Sequence, residues 1–184
     1  VHHLGSKTFS SIFFKVQTKY MLGLSATPNR KDGLSKVIYW FLGPQIVHFK
    51  RETGKPKIKF VFTDTTGFQE HLMGNGKVNS AQMLTDLSIK TDRNKLIMDC
   101  LHECLKENRK VLVLCARREH CSSLQAFLSP DITSGLYLGG MKTDSRNDST
   151  KCQVIFGTYQ ASGEGFDVPE LDTLIMASPR SDVE

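Results

Sequence analysis

Residues 157–169 hold the residue types best suited to chemistry. Their sequence is Gly-Thr-Tyr-Gln-Ala-Ser-Gly-Glu-Gly-Phe-Asp-Val-Pro, and they continue directly from a short apolar run. The hydroxyl of Thr158 and the open backbone N–H groups near the glycines suit a phosphate oxygen. The carboxylates of Glu164 and Asp167 suit a ribose hydroxyl or a cation. The alternative is a tight connection between a strand and a helix that needs glycine only for its geometry.

A second segment with hydroxyl groups, residues 22–33, also lies at the end of an apolar run. Ser25 and Thr27 stand there beside Pro28, which cannot continue a strand ladder. A third cluster, Cys100 with His102 and Cys104, has the residue types of a metal site. On a helix, however, residues two apart face away from each other, so this cluster predicts core packing and no metal is expected.

The apolar pattern predicts the elements that would position these residues. Strands are expected at residues 20–24, 58–63, 111–115, 134–138, 154–156 and 173–177. Helices are expected at residues 9–16, 34–42, 80–87, 92–105 with Asp92 as the cap, and 118–128. Residues 64–79 have no period and predict an excursion. Alternation of strands with helices from residue 57 onward predicts an α/β fold with a parallel sheet.

Composition excludes several classes of protein. With 39% hydrophobic and 23% charged residues, the chain can bury a core and does not have the composition of a disordered protein. No apolar run approaches the length of about 18 residues that a membrane span needs, so no membrane partner is expected. The five cysteines are odd in number and irregular in spacing. They favour a reducing compartment, and hence an intracellular location that is nuclear or cytoplasmic.

The charge is concentrated at the beginning of the chain. Residues 1–60 carry 11 Lys and Arg against 2 Asp and Glu, whereas the whole chain has a net charge of +5. A basic segment indicates an anionic partner, first of all nucleic acid. The alternative is a solvated linker or an edge strand that lysines protect from pairing.

The motifs in their order resemble those of superfamily 2 helicases. Residues 22–33 resemble motif III, Val111–Cys115 with Arg117 and Arg118 resembles motif IV, and residues 157–169 resemble motif V. The extended form Ser-Ala-Thr-Pro-x-Arg-x-Asp-Gly most resembles the branch that contains the xeroderma pigmentosum B helicase, bacterial restriction motors and helicases of large DNA viruses. Val1-His2 resembles the end of the Asp-Glu-x-His box, and residues 179–184 resemble the approach to motif VI.

This resemblance implies RecA-like (P-loop NTPase) parallel sheets flanked by helices. Residues 1–44 would be the tail of a first lobe, residues 45–56 a linker, and residues 57–184 most of a second lobe. ATP with Mg²⁺ would bind between the lobes, and nucleic acid would lie across both. The same branch favours DNA over RNA. The missing part of the first lobe would then be a partner of the chain.

The resemblance also implies roles for single residues. Catalytic or coupling roles fall on His2, Ser25 and Thr27; nucleotide contacts on Gly165 and Asp167; nucleic-acid phosphate contacts on Arg117, Gly140 and Thr158. Glu164 occupies a position where some relatives carry arginine, so the resemblance assigns it no role.

One motif of such motors is missing from the sequence. A phosphate-cradling P-loop needs Gly-Lys-[Ser/Thr], and this combination does not occur. Asp-Glu is expected just before Val1, and a Gly-Arg pair soon after Glu184. We therefore expect a fragment that does not hydrolyse ATP alone. A lone RecA-like lobe that binds nucleic acid or protein is the main alternative. A Rossmann-like metabolic enzyme ranks below it, because Gly-x-Gly-x-x-Gly is absent.

Overall fold

The computed structural model describes residues 5–25, 29–30, 32–49, 55–63, 67–163 and 165–180. The chain divides into two compact units, Val1–Lys59 and Phe60–Glu184. The first contains α1 (Lys7–Ser10), a 3₁₀ turn (Ser11–Phe14) and α2 (Ser35–Leu42). The second contains α3 (Ser80–Ile89), α4 (Thr91–Lys106), β1 (Val111–Cys115), α5 (Arg118–Ala126), β2 (Ser134–Tyr137), α6 (Thr143–Thr150), β3 (Val154–Thr158) and β4 (Thr173–Met176).

The second unit is a parallel sheet flanked by helices, the arrangement of a RecA-like lobe, and this confirms the predicted fold class. The strand order is β2-β3-β1-β4, and each neighbouring pair is parallel. The central strands β1 and β3 are short apolar runs that contain several β-branched residues, as expected where both faces of a sheet are covered. The assignment of the two units to two lobes stays a prediction.

Each face of the sheet buries its own cluster of side chains. On one face, α4 and α5 pack against alternate residues of the strands. That cluster contains Ile97, Met98, Leu101, Val111, Val113, Cys115, Cys121, Leu124, Leu138, Val154, Phe156 and Ala177. On the other face, Leu112, Tyr137 and Ile155 are covered by the segment that follows β3. The alternation along each strand places successive residues on opposite faces.

Two predicted strands are wrong. Residues 20–24 and 58–63 form no strand, and their large side chains are exposed, with Leu22 82% and Phe62 92% accessible. A strand needs a neighbour that takes up its backbone N–H and C=O groups. Among the described residues, neither segment is paired into a sheet, so apolar composition alone did not produce one.

Helix boundaries also differ from the predictions. The helix predicted at residues 9–16 is the short α1 followed by the 3₁₀ turn. Asp92 is not the cap of α4: the helix begins at Thr91, with Lys90 at the cap, and Asp92 lies in its first turn. Since α3 ends at Ile89, Lys90 is the single residue between the two helices. The backbone N–H of Asn94 donates to the carbonyl of Lys90 at 3.0 Å, which is the first hydrogen bond of α4.

Helix α6 was not predicted, since its sequence Thr-Asp-Ser-Arg-Asn-Asp-Ser-Thr has no apolar period. A tertiary contact holds it instead. Its buried Ser149 donates a hydrogen bond to the carbonyl of Leu136 at 2.7 Å. A Cβ on Gly135 would lie 2.7 Å from the Cα of Ser149, so only glycine allows β2 and α6 to approach this closely.

Candidate functional site

The carboxyl ends of the four strands meet at one edge of the sheet, and three of the predicted phosphate-contact positions lie there. Thr158 is the last residue of β3 and stands opposite Cys115, the last residue of β1, in the register. Arg117 lies two residues after the end of β1, at the cap of α5. Gly140 follows β2, the neighbour of β3 on its other side. Parallel strands place these ends side by side, about 4.8 Å apart. The structure therefore brings Arg117, Gly140 and Thr158 to the same edge.

Thr158 begins a tight turn. Its side chain is buried, its hydroxyl accepts a hydrogen bond from the N–H of Ala161 at 3.4 Å, and its carbonyl accepts one from the N–H of Ser162 at 3.0 Å. A Cβ on Gly157 would lie 2.5 Å from the Oγ of Ser162. Glycine at this position thus lets the turn fold back onto the strand.

Arg117 holds helix α3 against the edge of the sheet. Its guanidinium donates to the carbonyl of Ala81 at 2.5 Å and to the hydroxyl of Thr85 at 3.2 Å. Sequence reasoning expected a cation that faces a ligand. In the structure Arg117 already has protein acceptors, so a phosphate would have to share or replace them.

Gly140 has a left-handed backbone conformation with φ of 79°. A side chain here would be strained, although the space around it is open apart from the guanidinium of Arg118 at 3.9 Å. Arg118 in turn donates to the carbonyl of Gly139 at 2.8 Å and so ties the loop after β2 to helix α5.

The predicted nucleotide contacts lie further along the segment after β3. Phe166 and Val168 pack against the second cluster, Phe166 with its ring edge-on to Tyr137 at 5.0 Å. Asp167 between them is exposed, as the alternation of an extended chain requires. Gly165 has φ of 73° and open space around it. The exposed carboxylate of Asp167, close to the open turn at Gly165, is suited to accept a hydrogen bond from a ribose hydroxyl. These two residues form only one part of a nucleotide site.

Of the three residues with predicted catalytic or coupling roles, Ser25 is the one that lies among the described residues. Ser25 is exposed. His2 and Thr27 lie outside the described residues, as does Glu164 in the second unit.

The later part of the motif in the first unit has a structural role. Arg30 and Asp32 form a two-pronged ion pair, with the Nε of Arg30 2.9 Å from Oδ1 of Asp32. The same oxygen accepts the N–H of Leu34 at 3.1 Å, just before α2 begins. Hydrogen bonding to Arg30, and then to Leu34, lowers the pKa of Asp32 to about 2. The Arg-x-Asp pattern thus closes a loop onto the start of a helix.

Sequence reasoning missed a buried polar cluster beneath the carboxyl edge. The Nε2 of His120 lies 2.8 Å from Oδ1 of Asn94, and the amide of Asn94 donates to the carbonyl of Ser88 at 2.8 Å. Arg93 stands beside them on α4. The signal was present in the sequence, because Arg93 and Asn94 continue the apolar stripe of Ile97 and Leu101 at helical spacing.

The edge also carries an aromatic residue with two polar partners. The hydroxyl of Tyr159 donates to the carbonyl of Ser178 at 2.6 Å, and burial raises its pKa above the ordinary value. The guanidinium of Arg180 lies over the Tyr159 ring, 5.1 Å from its centre. Among the described residues, no three His, Cys, Asp or Glu side chains come together as a metal site.

Acid is expected to destabilise the second unit through His120. Burial, and then the charge of Arg93, lowers the pKa of His120 from 6.5 to about 4 in the folded chain. Between these pH values the unfolded chain binds more protons than the folded chain does. The contribution of neutral His120 to the free energy of unfolding is therefore complete above pH 6.5, decreases as the pH falls and is lost by about pH 4. The expected loss is up to about 3 kcal/mol. Urea denaturation at pH 7, 5.5 and 4.5 measures it.

The matched comparison for this pH dependence is the exposed His102. His102→Gln is expected to keep the steep pH dependence, whereas His120→Gln flattens it. Equal slopes in the two variants would contradict the assignment to His120.

Comparison with known proteins shows similarity to helicases of viruses. The chain is 32% identical to a protein of Acanthamoeba polyphaga mimivirus described as "Putative ATP-dependent RNA helicase L396", over 100% of this chain and 37% of that protein. It is 27% identical to "Putative helicase 161L" of Invertebrate iridescent virus 6, over 95% of this chain and 42% of that protein. It is 27% identical to "Probable helicase D10" of Escherichia phage T5, over 97% and 40%.

The chain thus spans about two fifths of the length of these curated relatives. No protein-family model matches the chain. No helix in the described part of the chain is long and apolar enough to cross a membrane.

Proposed function

We propose that the chain is part of an ATP-dependent superfamily 2 helicase or translocase that moves along nucleic acid. One observation carries the proposal: Arg117, Gly140 and Thr158 lie at three adjacent strand ends on one edge of the sheet. Such an edge is where open α/β sheets bind ligands. The similarity to viral helicases over nearly the whole chain supports it.

The proposed organisation is that of two lobes. Residues 1–44 would complete a first RecA-like lobe, residues 45–56 would link it to the second, and residues 57–184 would form most of the second. The division of the chain into two compact units supports this. Other parts of the first lobe would be contributed by residues outside this chain.

Each proposed site residue has a role that its chemistry suits. Thr158, Arg117 and the backbone at Gly140 would contact phosphates of the strand, which gives binding that depends on salt and little on sequence. Asp167 and Gly165 would contact the nucleotide. Hydrolysis of ATP with Mg²⁺ would supply the energy for movement.

In the first unit, Ser25 and Thr27 would couple the nucleotide site to the other lobe, and His2 would lie near the nucleotide phosphates. An intracellular, nuclear or cytoplasmic, location remains part of this proposal.

DNA is the proposed substrate, on the basis of the branch that the motifs resemble. The mimivirus relative carries "RNA helicase" in its name, and the phage relative carries "helicase" alone. The substrate is decided by measuring ATP hydrolysis of the full-length protein with single-stranded DNA, single-stranded RNA and neither. Stimulation by at least one strand is expected, and the 184-residue chain alone is expected to hydrolyse no ATP. Strand binding without any hydrolysis in the full-length protein would instead favour a binding module.

Thr158→Ala in the full-length protein is expected to weaken binding of single strands roughly tenfold, because a hydrogen bond to a phosphate oxygen is lost. The loss should be similar for strands of different sequence, since phosphates carry no sequence information. Fluorescence anisotropy with labelled oligonucleotides measures it. Thr150→Ala is the control, because Thr150 lies at the end of α6, just before the start of β3. The start of β3 is at the opposite edge of the sheet from Thr158. A loss confined to some sequences would contradict the phosphate contact.

A further inference from the structure

The side chain of Tyr159 is held in place where three strands end. Its backbone N–H donates to the carbonyl of Cys115, the last residue of β1, at 3.2 Å, and its hydroxyl donates to the carbonyl of Ser178, two residues after β4, at 2.6 Å. The hydroxyl of Ser178 in turn accepts the N–H of Ala116 at 3.0 Å. Because Tyr159 directly follows β3, these hydrogen bonds tie the carboxyl ends of β1, β3 and β4 together around its ring.

The guanidinium of Arg180 lies over this ring, 5.1 Å from its centre. Arg180 is exposed and forms no ion pair within the described part of the chain. Arg109, in contrast, pairs with the carboxylate of Glu107. A guanidinium over an aromatic face is attracted by the electrons of the ring, and it keeps its N–H groups and its outer face for a further partner.

A groove of about 730 Å³ opens beside Tyr159 and Arg180, between α3 and the ends of β1, β3 and β4. Its volume lies within the range of about 300–1,000 Å³ that is usual for small-molecule sites. None of its described lining residues is acidic. The apolar part of the lining includes Leu84, Ala116 and Pro179, and the aromatic and polar part includes Tyr159, Gln160 and Arg180.

This lining indicates the chemical class of the ligand. Apolar walls beside a planar guanidinium suit a flat ring system, and nucleobases stack on arginine planes as well as on aromatic rings. The amide of Gln160 can both donate to and accept from the polar edge of a base. The positive charge of Arg180 favours a ligand that also carries phosphate. A nucleobase attached to a phosphate combines these features.

We propose that the groove binds a nucleobase, which stacks on the guanidinium of Arg180 with the ring of Tyr159 behind it. The inference deepens the proposed function and rests on it. It adds a contact with a base next to the proposed phosphate contact at Thr158, the residue before Tyr159. The base has two possible sources, the nucleic-acid strand and ATP, which present the same kind of flat ring system to the groove.

The test compares Arg180→Ala with Arg109→Ala in the full-length protein. Arg109 lies two residues before β1, at the opposite edge of the sheet, so its replacement removes the same charge far from the groove. Each ligand that carries a base is matched with one that lacks it. Affinities are measured for labelled dT20 and U20 and for an abasic strand of equal length, and likewise for Mg-ATP and Mg-tripolyphosphate.

Arg180→Ala is expected to lose roughly 5- to 100-fold in affinity for the strands or for Mg-ATP, because a stacked base loses its support. The affinity for the matched ligand without a base should change much less. A loss with dT20 and U20 alone identifies the strand as the source, a loss with Mg-ATP alone identifies the nucleotide, and a loss with both means that the groove accepts either base.

Two further variants separate stacking from charge. Arg180→Lys keeps the charge without the flat guanidinium, so it should not restore the affinity. Arg109→Ala should bind every ligand as the wild type does.

Three results would overturn the inference: unchanged affinities in Arg180→Ala, an equal loss with and without the base, or full recovery in Arg180→Lys. The last two would assign the charge of Arg180 to a phosphate instead. In each case the proposed function stands as long as the wild-type protein binds strands and ATP. If the wild type binds neither, the proposed function fails and the inference falls with it.

Discussion

Replacing Phe156 by alanine is expected to lower the free energy of unfolding of the second unit by about 3–5 kcal/mol. Phe156 is fully buried on β3, where it pairs with Val113 of β1 and Leu136 of β2. Truncation removes apolar surface from the centre of the first cluster and leaves a cavity between the sheet and its helices. Hydrogen-bonded neighbours on both sides hold the strand in place, so it cannot collapse into that cavity.

Urea denaturation followed by circular dichroism measures the effect of Phe156→Ala. The matched control is Phe127→Ala, because Phe127 follows α5 and is 65% exposed. A typical domain has only about 5–15 kcal/mol of stability, so the first variant should be close to unfolding and the control should not. Equal shifts of the two midpoints would contradict the position of Phe156 in the core.

The second large effect is expected from Asn94→Ala, which should cost about 2–4 kcal/mol of stability. Asn94 makes two buried hydrogen bonds, one with the ring of His120 and one with the carbonyl of Ser88. The other ring nitrogen of His120 has no partner among the described residues. Removal of the amide thus leaves His120 and the Ser88 carbonyl unsatisfied, and each buried orphan costs about 1–3 kcal/mol.

The control for Asn94→Ala is Asn147→Ala, since Asn147 is an exposed residue on α6. The same denaturation experiment applies, at pH 7 where His120 is neutral. A cost as small as that of the control would mean that water replaces the amide and that the cluster is not closed.

The sheet was predictable from local pattern. Runs such as Val111–Cys115 and Val154–Thr158 are short, apolar and rich in β-branched residues. Helix α5 separates β1 from β2 and α6 separates β2 from β3, whereas the described residues between β3 and β4 form no helix. From this the parallel direction follows, and with it the meeting of the strand ends at one edge. The common edge of Arg117, Gly140 and Thr158 was therefore implied before any coordinates, although their roles stay predictions.

The failures share a cause, which is that the pattern was local and the stabilising contacts were not. Residues 20–24 and 58–63 have the composition of strands, but composition does not supply a neighbouring strand. Helix α6 has no apolar face, and yet it forms because Ser149 bonds to Leu136 on β2. In the first case the described residues supply no strand partner, and in the second a tertiary contact is present, so in both the tertiary environment overrides the intrinsic preference.

The order of residues alone determined which side chains stand at the strand ends, because side-chain direction follows from the period of the strand and from its position in the chain. It did not determine the partners of those side chains. The attachment of Arg117 to α3, and the enclosure of a guanidinium nitrogen of Arg93 that has no hydrogen-bond partner among the described residues, depend on which distant segments pack together. Burial and pairing are properties of that packing, and they decide whether a buried charge is compensated by neighbouring protein groups.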